Sequence, residues 1–198
     1  MNKTLLLAGV AATLLAANVN AAELNTYVSG KLRYADMSND VNDTSGSLDV
    51  DDNVFGASVA IGSKVETQNG AVRVELEYNK NEDAEKTYPG GTLKIDSQSL
   101  MVNAYYDINT GTKFTPYLGA GIGYAKVKGK ANISALGSGS IDDNNFAWQI
   151  GAGVGYAVNE NVSIDAGYRY VDNGDFSEYG INVDSTAHEL YLGARYGF

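Results

Sequence analysis

Cysteine does not occur anywhere in the 198 residues. That absence excludes disulfides, thiolate metal sites and a lipid-modified cysteine behind a leader. Histidine occurs once, so histidine-based acid–base chemistry has a single candidate, His188. Positive charge is scarce: 14 Lys and Arg face 24 Asp and Glu, for a net charge of −10. An acidic chain repels phosphates instead of displacing their counterions, so nucleic acid is not an expected partner. Past residue 21 no apolar run approaches the ~20 residues that a membrane-spanning helix needs. The mean hydropathy of −0.21 does not settle solubility, because the alternating strands of a membrane barrel average to a similar value.

The first 21 residues stand apart. Lys3 gives a positive start, residues 5–17 are apolar, and Val19, Asn20 and Ala21 offer small residues for a peptidase. The apolar run is shorter than a spanning helix. Residues 1–21 are therefore expected to be a signal peptide, and residues 22–198 one domain.

From Thr26 onward the chain alternates with period two, the signature of half-buried strands. Val28, Gly30, Leu32 and Tyr34 alternate with Ser29, Lys31, Arg33 and Ala35, and Val72, Val74, Leu76 and Tyr78 alternate with Arg73, Glu75, Glu77 and Asn79. The glycine-rich stretches GAGIGYA at 119–125 and GAGVGYA at 151–157 fit the same scheme. Neither is a dinucleotide fingerprint, because the third glycine comes one residue early and no helical pattern follows. Both read as strands, with Gly119, Gly121, Gly123, Gly151, Gly153 and Gly155 on one face and larger apolar residues on the other.

Eight such segments can be counted, each about the ~9–11 residues that a tilted strand needs to cross a bilayer. Long polar connections (37–52, 82–96, 128–144, 173–185) alternate with short ones (64–70, 108–113, 158–161). Aromatics on the apolar face fall into two belts. Tyr34, Phe55, Tyr78, Tyr124, Phe146, Trp148, Tyr168 and Tyr170 lie toward the long connections, and Tyr106, Phe114, Tyr156, Tyr196 and Phe198 toward the short ones. A soluble sandwich has no reason to sort aromatics by height, whereas a bilayer has two interfaces. The fold expected is all-β: a membrane-spanning, antiparallel, up-and-down eight-stranded β-barrel.

In so narrow a barrel side chains fill the interior. Parity points Lys31, Arg33, Arg73, Arg169 and Arg195 inward with Glu75, Glu77, Asp165 and Glu189. Near-balance implies pairing, because an unpaired charge in a narrow lumen is costly. Opposite strands are expected to share the space, Arg73 with Asp165 in the lower half and Glu77 with Arg169 in the upper. The glycines would make room for long charged chains such as Lys31 and Arg33. A polar plug is the expected result, with a narrow small-solute pore as the alternative.

PYLGAGIGYAKV, VSIDAGYRYV and the closing ELYLGARYGF resemble the small eight-stranded outer-membrane barrels of the outer membrane protein A and opacity-protein type. The resemblance covers residues 25–198 and implies a Gram-negative outer membrane, with both termini periplasmic. Outer-membrane lipid and lipopolysaccharide would surround the barrel. Leu192, Tyr196 and Phe198 would be the signal read by the barrel-assembly machinery. The peptidoglycan-binding part of some relatives is not expected, and neither is a cofactor. A non-enzymatic role in envelope structure and surface-loop display follows, with an adhesin or host-factor binder of unidentified ligand as the alternative. Some barrel enzymes act on lipid A with a lipid-facing histidine, serine and carboxylate. Here Thr186 and His188 face lipid while Glu189 points inward, so base and orienter do not meet. The acidic stretch Asp36, Asp40, Asp43, Asp49, Asp51 and Asp52 begins like a calcium loop. Val54 and Ala60 stand where that motif needs glycine and glutamate, so no metal site is expected.

Both biogenesis signals are open to test. N-terminal sequencing of the outer-membrane fraction should find Ala22 first, and removal of Phe198 should lower outer-membrane levels more than truncation of Val74 to alanine. A protein that still starts at Met1, or equal levels of the two variants, would contradict this assignment.

Overall fold

A computed structural model describes residues 25–43, 46–82, 84–88, 91–133, 137–178 and 181–198. The expected leader lies outside the described residues. Nine strands occur among them: β1 (Asn25–Asp43), β2 (Gly46–Thr67), β3 (Gly70–Asn81), β4 (Ala84–Tyr88), β5 (Gly91–Ile108), β6 (Phe114–Ile133), β7 (Gly137–Ala157), β8 (Val162–Glu178) and β9 (Ile181–Gly197). The short β4 pairs with β5 beyond the point where β3 stops, so it continues the line of β3. Every neighbouring pair is antiparallel. A β1–β9 ladder and a β3–β5 ladder complete the circle, giving a closed barrel with an eight-strand wall.

The slant of the wall can be read from the register. Starting at Asn81 and stepping across the ladders, the partners are Gly56, Arg33, Tyr191, Gly167, Gly153, Tyr117, Asp107 and Ala71. One circuit returns to β3 ten residues below its start, between Asn81 and Ala71. With strands ~4.8 Å apart and ~3.3 Å of rise per residue, that stagger corresponds to a tilt of about 40° and a backbone radius of roughly 8 Å.

The burial pattern is inverted relative to a soluble protein. Leu32 is 70 % exposed and Val59 63 %, while Glu77 is 0 % and Arg73 2 % exposed. Charges inside and large aliphatics outside identify a wall solvated by lipid. The aromatics form ring pairs at both edges of the aliphatic band. Tyr34–Phe55, Tyr124–Phe146 and Trp148–Tyr170 pack with centroids 5.2, 6.3 and 5.6 Å apart at one edge, and Phe114–Tyr156 at 5.1 Å at the other.

The two ends differ. At the lower end turns are tight and locally built: Asn109 Oδ1 accepts from the Gly111 amide at 2.9 Å, and Asn159 Oδ1 from Asn161 and Val162 at 2.9 and 2.8 Å. Gly111 takes φ +67°, a conformation that favours glycine. At the upper end the expected long loops are largely strand instead. β1 and β2 stay in register to Asp43–Gly46, β6 and β7 to Ile133–Gly137, and β8 and β9 to Glu178–Ile181. The physical reason is that an antiparallel partner continues to satisfy each backbone group after the pair leaves the wall. A bulge between Asp172 and Asp175, with Gly174 at φ +79°, interrupts β8 where it leaves the wall. In the acidic stretch the backbones of Asp40 and Asp49 are partners, whereas the side chains of 38–52 lie outside the described part.

Urea refolding into lipid vesicles checks the two faces. Arg at outward Val74 or Ile150 should cost about 2–4 kcal/mol near the membrane midplane. Leu at inward Gly121 or Gly153 should cost about 1–3 kcal/mol, because a side chain there runs into the Asn103 amide or the Tyr117 ring. Leu at outward Ala120 or Ala152 should cost little. Equal costs on both faces would overturn the assignment.

Candidate functional site

The lumen concentrates the charged groups that parity pointed inward. Lys31 and Arg33 come from β1, Arg73, Glu75 and Glu77 from β3, Asp165 and Arg169 from β8, and Glu189 and Arg195 from β9. All are buried except Arg195, whose side chain keeps 12 % exposure at the lower end. Asp107 of β5 joins them at 5 % exposure. Alternation continued one residue past the outward Tyr106 points Asp107 inward as well. Five cations (Lys31, Arg33, Arg73, Arg169, Arg195) thus meet five carboxylates (Glu75, Glu77, Asp107, Asp165, Glu189).

Glu77 is the centre of the upper half. It accepts from Ser58 Oγ and Asn103 Nδ2 at 2.7 Å each. It also lies 3.3 Å from Arg169 and 3.4 Å from Lys31. Arg169 continues to Glu189 at 2.5 Å, and Glu189 to Arg33 at 2.8 Å. Asn79 accepts from Arg169 at 3.0 Å, Asn81 from Arg33 at 2.8 Å, and Asn103 from Gln149 at 2.6 Å. In the lower half Glu75 accepts from Tyr27 at 2.7 Å, Lys31 at 3.0 Å and Arg73 at 3.1 Å.

The expected sharing between Glu77 and Arg169 is present, but Arg73 and Asp165 do not pair. Arg73 Nε bonds Asp107 at 2.8 Å, and Asp165 pairs with Arg195 at 2.9 Å. Tyr105 and Tyr117 take up the space around the Arg73 guanidinium, with ring centroids 4.5 and 4.8 Å away. The nearer carboxylate on the adjacent β5 therefore becomes its partner. The ring faces also offset the unbonded Nη2 of Arg73.

The glycines serve a different neighbour from the one expected. A Cβ at Gly119 would overlap the Tyr105 ring, at Gly121 Asn103, at Gly123 Met101, and at Gly153 Tyr117. The β6 glycines therefore accommodate uncharged side chains from the adjacent β5, not Lys31 or Arg33 across the lumen. Charged neighbours are found at Gly151 (Arg169), Gly155 (Arg195 and Asp165) and Gly193, where an added Cβ would come within 2.8 Å of Lys31 Cγ. Tyrosines also share the lumen: the Tyr117 and Tyr191 hydroxyls meet at 3.0 Å.

The middle of the lumen is closed. Glu75, Glu77, Asn103 and Met101 are 0–1 % exposed. Above them a cavity of only about 20 Å³ adjoins Arg33, Asn79 and Glu189. Below, a polar mouth of about 510 Å³ is lined in part by Tyr27, Lys64, Asp107 and Arg195. Outside, His188 stacks on Tyr168, whose hydroxyl meets its Nδ1 at 2.5 Å, while Glu189 bonds Arg33 and Arg169 inside. Phe198 is 75 % exposed, and its amide donates to the Thr26 carbonyl at 3.0 Å, securing the closing strand to the first. Leu192 and Tyr196 share its outward face. No cluster of three or more potential metal-ligating side chains is found among the described residues.

The family model for the outer membrane protein beta-barrel domain matches residues 4–198. Outer membrane protein PagN of Salmonella typhimurium is 33 % identical over 73 % of this chain and 73 % of its own. Opacity protein opA67 of Neisseria gonorrhoeae is 28 % identical over 64 % of this chain and 62 % of its own. In fold the chain is similar to Neisserial surface protein A, with a TM-score of 0.60, 24 % identity, and coverage of 87 % of this chain and 97 % of that one.

Glu77 offers a direct test of the lumen network. Glu77→Ala strands Lys31, Arg169, Ser58 and Asn103 around an empty acceptor position, and should cost about 3–5 kcal/mol in urea refolding. Alanine at Glu66, whose side chain is 61 % exposed, should cost under about 0.5 kcal/mol. Similar costs for the two would show that the network does not hold the barrel.

Proposed function

The chain belongs to the outer membrane protein β-barrel family, and from that premise we propose that it is a non-enzymatic surface-display barrel. The wall is plugged and rigid, and its task is to hold four long hairpins outside the cell. Residues 1–21 direct export and are removed, both termini lie in the periplasm, and the closing Leu192, Tyr196 and Phe198 are read during assembly. The observation that carries this reading is the asymmetry of the ends. From the Tyr34–Phe55 pair the β1–β2 ladder continues to Asp43–Gly46, roughly 30 Å of further strand at ~3.3 Å per residue. The β6–β7 ladder continues similarly from Tyr124–Phe146 to Ile133–Gly137. The opposite ends close in turns such as Gln68–Asn69.

A non-enzymatic role is supported by the separation of His188 and Glu189 onto opposite faces. The buried, paired charge network supports a plug over a pore. Paired hairpins of this length also favour a second reading, an adhesin, because a strand ladder holds a binding surface with less ordering cost than a free loop.

Trimming the β1–β2 hairpin at residues 39–50 to a short glycine turn separates these readings. The trimmed barrel should insert, migrate differently on gels before and after boiling, and show no conductance in planar bilayers. In a deletion strain it should restore envelope integrity as well as the full chain does. Loss of cell or matrix binding on trimming, with integrity intact, would favour the adhesin. Steady conductance of the full chain would refute the plug.

A further inference from the structure

Above the upper aromatic belt the eight-strand wall parts into two sheets. The β7–β8 ladder ends at Trp148–Asp172 and the β2–β3 ladder at Gly56–Asn81, with one last bond from the Glu82 amide to the Phe55 carbonyl at 2.8 Å. Beyond those points the described ladders run only within β8–β9–β1–β2 and within β4–β5–β6–β7. The β1–β2 register continues without a shift from Asn25–Lys64 to Asp43–Gly46, so the phase that points Arg33 inward also holds above the rim. In that phase the residue types change. Phe176, Val183, Val41 and Leu48 are successive ladder partners across the first sheet, and Ala84, Ile95, Gly129 and Ile141 across the second. The opposite phase, which faces lipid lower down, holds Asp175, Asp184, Asp40 and Asp49 in the first sheet. In the second it holds Glu85, Lys94, Lys130 and Ser140.

Within the bilayer the wall is apolar outside and polar inside. Above it the order reverses, as in a water-soluble sheet with one buried face. The reversal begins at the lumen's upper end. Ala35, Val171 and Ala187 form a buried cluster with Met37 at the foot of the first sheet, and Met101, Ala125 and Ala147 form another at the foot of the second. Met37 and Met101 line the same cavity of about 20 Å³, so the two feet converge above the charge network. Apart from the hairpin ends, the charged residues in the inner phase are Asp52, Lys86 and Asp143. They fall on β2, β4 and β7, which are edge strands of the two sheets, where an inward charge guards against further pairing. At the rim the backbone diameter is roughly 16 Å, whereas packed sheets stand ~10 Å apart, so a lean of about 3 Å by each sheet closes the difference.

We propose that the apolar faces of these two sheets dock on each other, so that the hairpins form a two-sheet sandwich with its own core on top of the plugged barrel. The proposal rests on the reading that the long hairpins face outward into water. There an apolar row left open to solvent is unfavourable, and the facing sheet is the surface of matching chemistry that continues from the same lumen. The occupant of each face is thus the other sheet. The sandwich seals the lumen a second time, above the polar plug. It also fixes what the barrel displays: a partner meets the two polar faces and not the mouth between the sheets. One polar face belongs to a sheet with no Lys or Arg from 34 to 63 or from 170 to 188, and the other carries Lys94 and Lys130.

The chain has no cysteine, so single cysteines report accessibility cleanly. Val41→Cys, Val183→Cys and Ile141→Cys sample the apolar phase, and Asp40→Cys, Asp184→Cys and Ser140→Cys the polar one. In lipid nanodiscs holding one copy, a membrane-impermeant maleimide should label the apolar set about tenfold more slowly, because labelling needs the packed region to open locally. Docking between the sheets, as opposed to shelter within one, is read from coupling across the mouth. Val183→Asp on β9 should speed labelling of Ile141→Cys on β7 severalfold, with boiling-dependent gel migration showing that the barrel is still folded. Equal rates in the two phases, or no effect of Val183→Asp on the facing sheet, would overturn the sandwich. Slow labelling in native membranes that is lost in single-copy nanodiscs would also overturn it, by assigning the apolar face to a second copy. Intact cells test the orientation separately: the polar set should react without permeabilisation. Reaction only after the outer membrane is permeabilised would overturn the outward reading, while the contrast between phases in nanodiscs still decides the packing.

Discussion

In hydrocarbon every unpaired amide or carbonyl costs several kcal/mol, and the β3–β5 ladder removes the last open row of them. Without that ladder β3 and β5 would each present an edge to lipid. With it the sheet has no edge within the wall, and the number of strands and the ten-residue stagger together fix a radius of roughly 8 Å. The lipid-facing aliphatics, the narrow lumen and the slope of the wall all follow from this closure.

A lumen this narrow cannot hold water as a channel does, so the groups inside must satisfy one another. Glu77 shows how. Four donors from β1, β2, β5 and β8 converge on one carboxylate, and each removes charge or hydrogen-bonding capacity that would otherwise be stranded. The tyrosines play a complementary part: their rings fill volume, cover guanidinium faces and push the charges toward partners on adjacent strands. Glycine on β6 and β7 allows this by leaving space beside each ring or amide. The plug is thus both polar and closely filled, with Glu75, Glu77, Asn103 and Met101 at 0–1 % exposure.

The outside of the wall is organised by the same slant. Rows of side chains climb around the barrel, so ridges and troughs on the lipid face run obliquely from mid-membrane to the rim. Above the rim the ladders continue as hairpins because pairing, once begun, satisfies each added residue as it goes. A plugged wall and long paired hairpins together form a scaffold whose ladders continue past the aromatic belt.

Period-two alternation by itself determined which residues face lipid and which face the lumen. A one-residue slip would exchange the faces, so Leu32 and Lys31 could not trade places without putting charge into hydrocarbon. The sorting of aromatics by height determined the bilayer's position for the same reason, since rings with polar edges gain at an interface. Partners inside the barrel were decided only by the tertiary structure. Parity sends Arg73 inward, but the choice of Asp107 over Asp165 depends on stagger and on where the Tyr105 and Tyr117 rings lie, which are properties of the closed circuit. Asp107 was itself legible once the strand was carried one residue further. The length of the upper hairpins was hidden because polar, glycine-containing segments resemble loops in composition, while the ladder that holds them comes from a partner strand.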